Sequence, residues 1–168
     1  MKYLLALLAL TFASLAQAQL HPARCEGNEL LSHYNTLIYR FSFSSDCSKA
    51  LEESRTTQGR FCDSDKLFLS NGFMFLDFNW SSECQEALES LRSSDTGLIC
   101  DGTAMHQIQW GYLLHHSFSA HCQEALNEAK EHKGLFCKDG QMYNQWGQFI
   151  RDYTFRSSCQ EALKYITF

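Results

Sequence analysis

The spacing of the cysteines constrains this chain more than any other feature. They fall at positions 25, 47, 62, 84, 100, 122, 137 and 159, with separations of 22, 15, 22, 16, 22, 15 and 22. A fixed period of this kind marks an internal repeat, and it takes precedence over any local assignment. The residues agree with the spacing. Cys47-Ser48-Lys49-Ala50-Leu51 is echoed by Cys84-Gln85-Glu86-Ala87-Leu88, Cys122-Gln123-Glu124-Ala125-Leu126 and Cys159-Gln160-Glu161-Ala162-Leu163. Gly59-Arg60-Phe61, Gly97-Leu98-Ile99 and Gly134-Leu135-Phe136 each precede a new unit. The chain thus divides into four units, 25–61, 62–99, 100–136 and 137–168.

The stretch after each second cysteine reads as a helix of ten to twelve residues. Ser45, Ser82 and Ser157 are candidate N-caps, and the Ser82–Gln85 and Ser157–Gln160 spacings suit capping boxes. Adjacent Ala and Leu, followed by Leu91, Ala129 or Ile166, make a narrow apolar stripe. Gly59, Gly97 and Gly134 stand where a left-handed C′ residue is wanted.

Between the paired cysteines, strand alternation fits better than helical phase. Leu37-Tyr39-Phe41-Phe43 and Met74-Leu76-Phe78-Trp80 alternate with mostly polar neighbours. Asn71-Gly72 is a hairpin turn signal, and Gly72, Gly111 and Gly147, near the midpoints of units two to four, would each cost a helix about 1 kcal/mol. A two-residue loop at Asn71-Gly72 places Lys66 opposite Asp77. The same offsets set Glu29 opposite Arg40, with the charges exchanged, as a cross-strand pair permits. The expected fold is α+β: four disulfide-stapled units, each a β-hairpin followed by a short α-helix, packed as one two-layer domain. An all-α solenoid of helical hairpins is the alternative, because Leu30, Tyr34, Leu37, Ile38 and Phe41 also fit one helix face.

In a hairpin the first cysteine precedes strand one and the second follows strand two, so both lie at the open end. That favours Cys25–Cys47, Cys62–Cys84, Cys100–Cys122 and Cys137–Cys159, each bridge worth roughly 3 kcal/mol in the chain-entropy model. Two other families stay open: each second cysteine bonded to the next unit's first, or like bonded to like between neighbours. Zinc is disfavoured, since no Cys-x-x-Cys occurs.

The N-terminus supplies the compartment. Lys2, the apolar run Leu4 to Leu10 and Ala16-Gln17-Ala18 read as a signal peptide spanning 1–18, leaving 19–168 as a single domain. Export to the periplasm or out of the cell makes an even number of cysteines a disulfide framework. No later stretch approaches a membrane span, so no insertion is expected after cleavage. With 14 Lys+Arg against 19 Asp+Glu there is no basic surplus for phosphates, which excludes a nucleic-acid partner.

No nucleophile elbow, zinc-protease motif, P-loop or dinucleotide fingerprint is present, and no cofactor is expected. Unit three holds five of the seven histidines, and a cross-strand His106–His115 pair is the one weak metal candidate. Asp63 and Asp65, or Asp101, could serve with Glu83 or Asp152 as acid and base. Gln109-Trp110-Gly111 and Gln145-Trp146-Gly147 recur at the expected turns; these indoles either anchor a partner or fold onto the neighbouring unit. Phe43, Trp80, Phe118 and Phe155, aromatic in every copy, are expected in the core. Burial of Trp80 would keep the acceptor sequence Asn79-Trp80-Ser81 from glycosylation. Repetition suits binding arrays better than catalysis. The expected function is therefore non-catalytic binding of a protein or glycan, with Trp110, Trp146, Gln109 and Gln145 as contact residues. A secreted hydrolase using the carboxylates or the unit-three histidines is the rival. An envelope component, or an inhibitor of secreted enzymes, is a third possibility.

Overall fold

The computed structural model of the chain describes residues 23–166. The expected signal segment lies outside the described residues. Unit one contains β1 (Arg24–Glu26), β2 (Glu29–Leu31), β3 (Leu37–Arg40) and α1 (Ser44–Thr56). Unit two contains β4 (Phe61–Asp63), β5 (Lys66–Phe68), β6 (Met74–Asp77) and α2 (Ser81–Ser93). Unit three follows with β7 (Leu98–Asp101), β8 (Ala104–Gln107), β9 (Gly111–His115) and α3 (Ser119–Glu131). Unit four has β10 (Phe136–Lys138), β11 (Gln141–Tyr143), β12 (Phe149–Asp152) and α4 (Arg156–Lys164). Each unit is an antiparallel sheet of three strands in chain order, followed by a helix.

The α+β reading and the within-unit disulfides hold. All four bridges form as expected, with Cα separations of 6.0–6.2 Å. The hairpin is an undercount, because the first cysteine lies within a strand of its own. That strand pairs with the next through a two-residue turn, Gly27-Asn28 between Glu26 and Glu29 or Ser64-Asp65 between Asp63 and Lys66. Three residues are too few for alternation to show. The second cysteine is the fourth residue of its helix. Each bridge thus joins an edge strand to the first helical turn.

The cross-strand register stands, and two departures at the tip explain why. Lys66 faces Asp77 and Glu29 faces Arg40. The Lys66 ammonium lies 3.6 Å from Asp77, and Arg40 Nε donates to Glu29 at 2.9 Å. The loop between Leu69 and Phe73 holds three residues rather than two. A bulge then adds Phe75, so the pairing returns to the expected phase. The bulge also turns Leu37 and Met74 outward from the alternating series to which they were assigned.

The helices run 13 residues in units one to three and 9 in unit four. Their N-caps are Phe43, Trp80, Phe118 and Phe155, two residues before the expected serines in units one, two and four. These four aromatics are not core. They are 64–70% exposed, because the third strand ends at Arg40 or Asp77 and the chain leaves the sheet before reaching them. Phe41 and Phe78 are the last inward residues. Trp80 being exposed, the argument against glycosylation of the equally exposed Asn79 falls. The helix-exit glycines also sit one place later than expected: Gln58 and Lys133 take the left-handed C′ position, at φ 56° and 50°, ahead of Gly59 and Gly134.

With each unit counted from the start of its first strand, at Phe61, Leu98 or Phe136, units one to three do not close their cores alone. Leu30, Phe41, Cys47 and Ala50 of unit one pack with Phe61 and Phe68 of unit two. Leu67, Phe78, Leu88 and Leu91 of unit two take in Ile99 and Ile108 of unit three, and the core of unit three takes in Phe136. Each helix lies over its own first strand, and the first three lie also over the first strand of the next unit, giving a sheet layer and a helix layer. At two junctions a carboxylate, buried at Glu53 and half-buried at Glu128, fastens this contact. Glu53 accepts from the backbone N–H of Cys62 at 2.8 Å and from Gln85 Nε2 at 3.0 Å. Glu128 does the same for Cys137 at 2.7 Å and Gln160 at 2.6 Å.

The tip of one unit rests on the third strand of the preceding one. Gly72, at φ +78°, leaves no room for a Cβ, which would collide with the carbonyl oxygen of Ile38. Gly27, at φ +61°, faces open space. Gly27→Ala should cost only the left-handed backbone penalty, about 1 kcal/mol. Gly72→Ala should lose roughly a further 1–3 kcal/mol through the clash between units. Thermal denaturation of the two variants side by side checks this; equal losses would show that the tip does not pack as described.

Candidate functional site

Every unit presents an aromatic side chain at the tip between its second and third strands, and in every unit that residue's backbone N–H bonds to a side chain two or three residues earlier. Tyr34 donates its N–H to Ser32 Oγ at 3.2 Å, Phe73 to Asn71 Oδ1 at 3.0 Å, Trp110 to Gln107 Oε1 at 3.2 Å, and Trp146 to Asn144 Oδ1 at 3.0 Å. Ser32, Gln107 and Asn144 occupy equivalent positions, seven residues after the first cysteine of their units. Leu69 stands there in unit two and cannot accept, so Asn71 takes over. Short polar side chains that bond backbone two or three residues on are the usual means of ordering a tight turn. The rings are therefore held on ordered backbone while staying in solvent: Trp110 is 70% and Trp146 51% exposed.

The expected contact residues divide. Trp110, Trp146 and Gln109 are exposed at the tips. Gln145 is half-buried against Gly134, where its Cβ would lie 2.9 Å from an added methyl, so it serves the packing of the helix exit. Tyr34 and Phe73 complete the tip series and went unnoticed in the sequence. Ser32-His33-Tyr34, Asn71-Gly72-Phe73 and Asn144-Gln145-Trp146 share a polar-x-aromatic signature that would have found them. Beside each tip, the first or second residue of the third strand adds an exposed apolar side chain: Leu37, Met74, Tyr112 and Phe149. The exposed N-cap aromatics lie beyond the other end of that strand.

The histidine pair does not form across the strands. His106 faces Tyr112, while His115 faces Ala104 and shares a hydrogen bond with Thr103 Oγ1 at 3.2 Å. The strand register, Ala104 with His115 and Met105 with Leu114, already sets His115 two residues along the strand from His106 before the bulge is reached. Among the described residues no three His, Cys, Asp or Glu converge on a point where a metal could sit.

The carboxylates proposed as acid and base are mostly engaged elsewhere. Asp63 accepts from Tyr39 Oη at 2.9 Å; burial, and then this bond, pushes the Tyr39 phenol up to about 12. Asp65 pairs with Lys66 at 3.4 Å, and Glu83 accepts from the backbone N–H groups of Asn79 and Trp80 at 3.1 Å each. Asp152 lies opposite Gln141 on the outermost strand. Burial raises the Asp101 carboxyl above the ordinary carboxylate range, His106 opposes the rise and Glu83 adds to it.

His116 occupies the position held by Phe41, Phe78 and Tyr153 in the other units. In all four the backbone N–H bonds the carbonyl of the first turn, Asn28, Asp65, Thr103 or Gly140. The imidazole is 1% exposed and its Nε2 has no hydrogen-bond partner. Burial, followed by Lys138 and Arg156, depresses it from 6.5 to about 4.

No protein-family model matches the chain, and no curated protein and no solved structure shows significant similarity to it.

Because the folded state holds His116 neutral, its contribution to stability is complete above pH 6.5 and is lost as pH falls towards about 4, where the folded protein protonates as well. His116→Phe, which restores the residue of units one and two, should remove part of that acid loss. Melting temperatures of both proteins between pH 7 and 4 should diverge as pH falls; parallel curves would contradict the buried neutral imidazole.

Proposed function

We propose that this chain acts by non-catalytic binding of a protein or glycan partner in the periplasm or outside the cell, with the tip aromatics as its contact residues. Four disulfides imply an oxidising compartment. No helix among the described residues is long and apolar enough to cross a membrane. The observation that carries the proposal is the series Tyr34, Phe73, Trp110 and Trp146: large rings in solvent, one at the tip of each unit though nine to eleven residues after its first cysteine, each on backbone tied down by a neighbouring side chain. A ring held on an ordered turn loses little freedom on association, and rigidity of this kind converts buried area into affinity. Regular repetition adds avidity when the ligand repeats too.

The hydrolase reading has less support. Of its candidate carboxylates, Asp63, Asp65 and Glu83 already satisfy a phenol, an ammonium and a helix start. An aromatic tip stacks equally on a sugar face and in a protein pocket, so the partner class is left to experiment.

Trp110→Ala combined with Trp146→Ala should leave the melting temperature within about 2 °C of the parent, since neither indole is core. Retention on the cognate ligand should weaken by about tenfold or more. Affinity chromatography on immobilised polysaccharides, and in parallel on immobilised secreted proteins, separates the two partner classes. Unfolding of the double variant, or unchanged retention on every matrix that holds the parent, would overturn the proposal.

A further inference from the structure

We infer that the junction between units two and three is a receptor for the carboxylate of a small ligand, taking the place that a glutamate fills at the other two junctions. The inference does not involve the tip aromatics, so its failure would leave the proposed function untouched. The protein itself supplies the template. Glu53 and Glu128, six residues after the second cysteines of units one and three, each bond the N–H of the next unit's first cysteine and the amide of the glutamine after its second cysteine.

At the central junction the equivalent residue is Ser90. Its hydroxyl is too short to reach either group and turns instead to the carbonyl of Leu98 at 3.2 Å. Both receiving groups are retained. Cys100 pairs with Met105 in the register by which Cys62 pairs with Leu67 and Cys137 with Met142, so its N–H has the same outward direction. Gln123 follows Cys122 as Gln85 follows Cys84, yet it is exposed where Gln85 and Gln160 are half-buried against their glutamates.

A cavity of about 270 Å³ opens at this place, lined by Ser90, Cys100, Gln123 and Lys130 over an apolar floor of Ala87 and Leu126. It is near the lower limit of small-molecule sites, which suits a short ligand. Lys130 supplies the charge. Arg55 and Arg92, its counterparts, pair with Glu52 and Glu89 on their own helices, but in unit three Asn127 replaces that glutamate. Lys130 therefore makes no ion pair among the described residues. Glu86 and Glu89 stand on the opposite side; Glu89 is occupied by Arg92, and Glu86 disfavours a polyanion. The ligand class is a single carboxylate on a short aliphatic arm whose far end is polar or cationic, as in a glutamate side chain.

The test is a ¹H–¹⁵N titration of the oxidised protein with glutaramate (the monoamide of glutaric acid), with acetyl-glutamate amide, and with neutral glutaramide as control. Saturable shifts of the Cys100 amide and the Gln123 side-chain amide are expected with both acids and not with glutaramide. Cys62 and Cys137, already served by glutamates, should stay still. Tighter binding of acetyl-glutamate amide assigns a peptide side chain, and tighter binding of glutaramate a free small acid. Ser90→Glu should fill the site from within, moving the Cys100 signal to its bound position and weakening glutaramate by about tenfold or more. Lys130→Gln should weaken it too, and tests the site independently should the first variant fail to fold. An unmoved Cys100, equal shifts at Cys62 and Cys137, or undiminished binding by both variants would overturn the inference.

Discussion

Each unit depends on a covalent tie between two elements that would otherwise have little reason to stay together. The first strand is three or four residues long and sits at the edge of its sheet; the helix has only a narrow apolar stripe. Neither buries enough surface to fold by itself. A disulfide from the strand to the first helical turn fixes the angle at which the helix crosses the sheet. It also places the next helical turns over the first strand of the following unit. The buried cysteines, at 0–8% exposure for all but Cys25, are in this sense the centre of each core and not merely staples on its surface.

From that tie the rest of the stack follows. In units one to three the helix does not satisfy its apolar face within its own unit, so Phe61 and Phe68, or Ile99 and Ile108, complete the core from outside. Units coupled only to neighbours make a quasi-one-dimensional molecule, in which stability is a sum of unit and interface terms. The interfaces are not equal. Glutamates fasten the outer two, and a serine stands at the middle one, beside the single insertion that lengthens the spacing from 15 to 16. Chemistry that differs at one junction among three equivalents is better evidence of a specialised site than any single cleft, because the other two serve as controls.

Much of the architecture was legible because periodicity acts on many residues at once. The within-unit pairing, the helix after each second cysteine and the Lys66–Asp77 register all came from features repeated in several copies. What was misread lay where the backbone departs from a regular period. The bulges at Phe75 and its counterparts reset the alternation and the chain then leaves the sheet, so of the series from Leu37 to Phe43 only Tyr39 and Phe41 pack on the core. An aromatic in every copy suggested core, yet Phe43, Trp80, Phe118 and Phe155 recur as helix N-caps in solvent. Of the candidate site, the two tryptophans were visible, whereas Tyr34 and Phe73 were hidden by their differing side chains. Glu53 and Glu128 carried no signal, because a glutamate in the middle of a polar helix looks like surface until the next unit is stacked on it.

The most direct test is to map the disulfides by mass spectrometry of the oxidised protein, digested without reduction. The account predicts linked peptides for Cys25–Cys47, Cys62–Cys84, Cys100–Cys122 and Cys137–Cys159, each as a separate pair. A peptide joining Cys25 to Cys62, or Cys47 to Cys62, would mean that the strand-to-helix tie is absent, and with it the basis for the stacked cores, the tip series and the central junction.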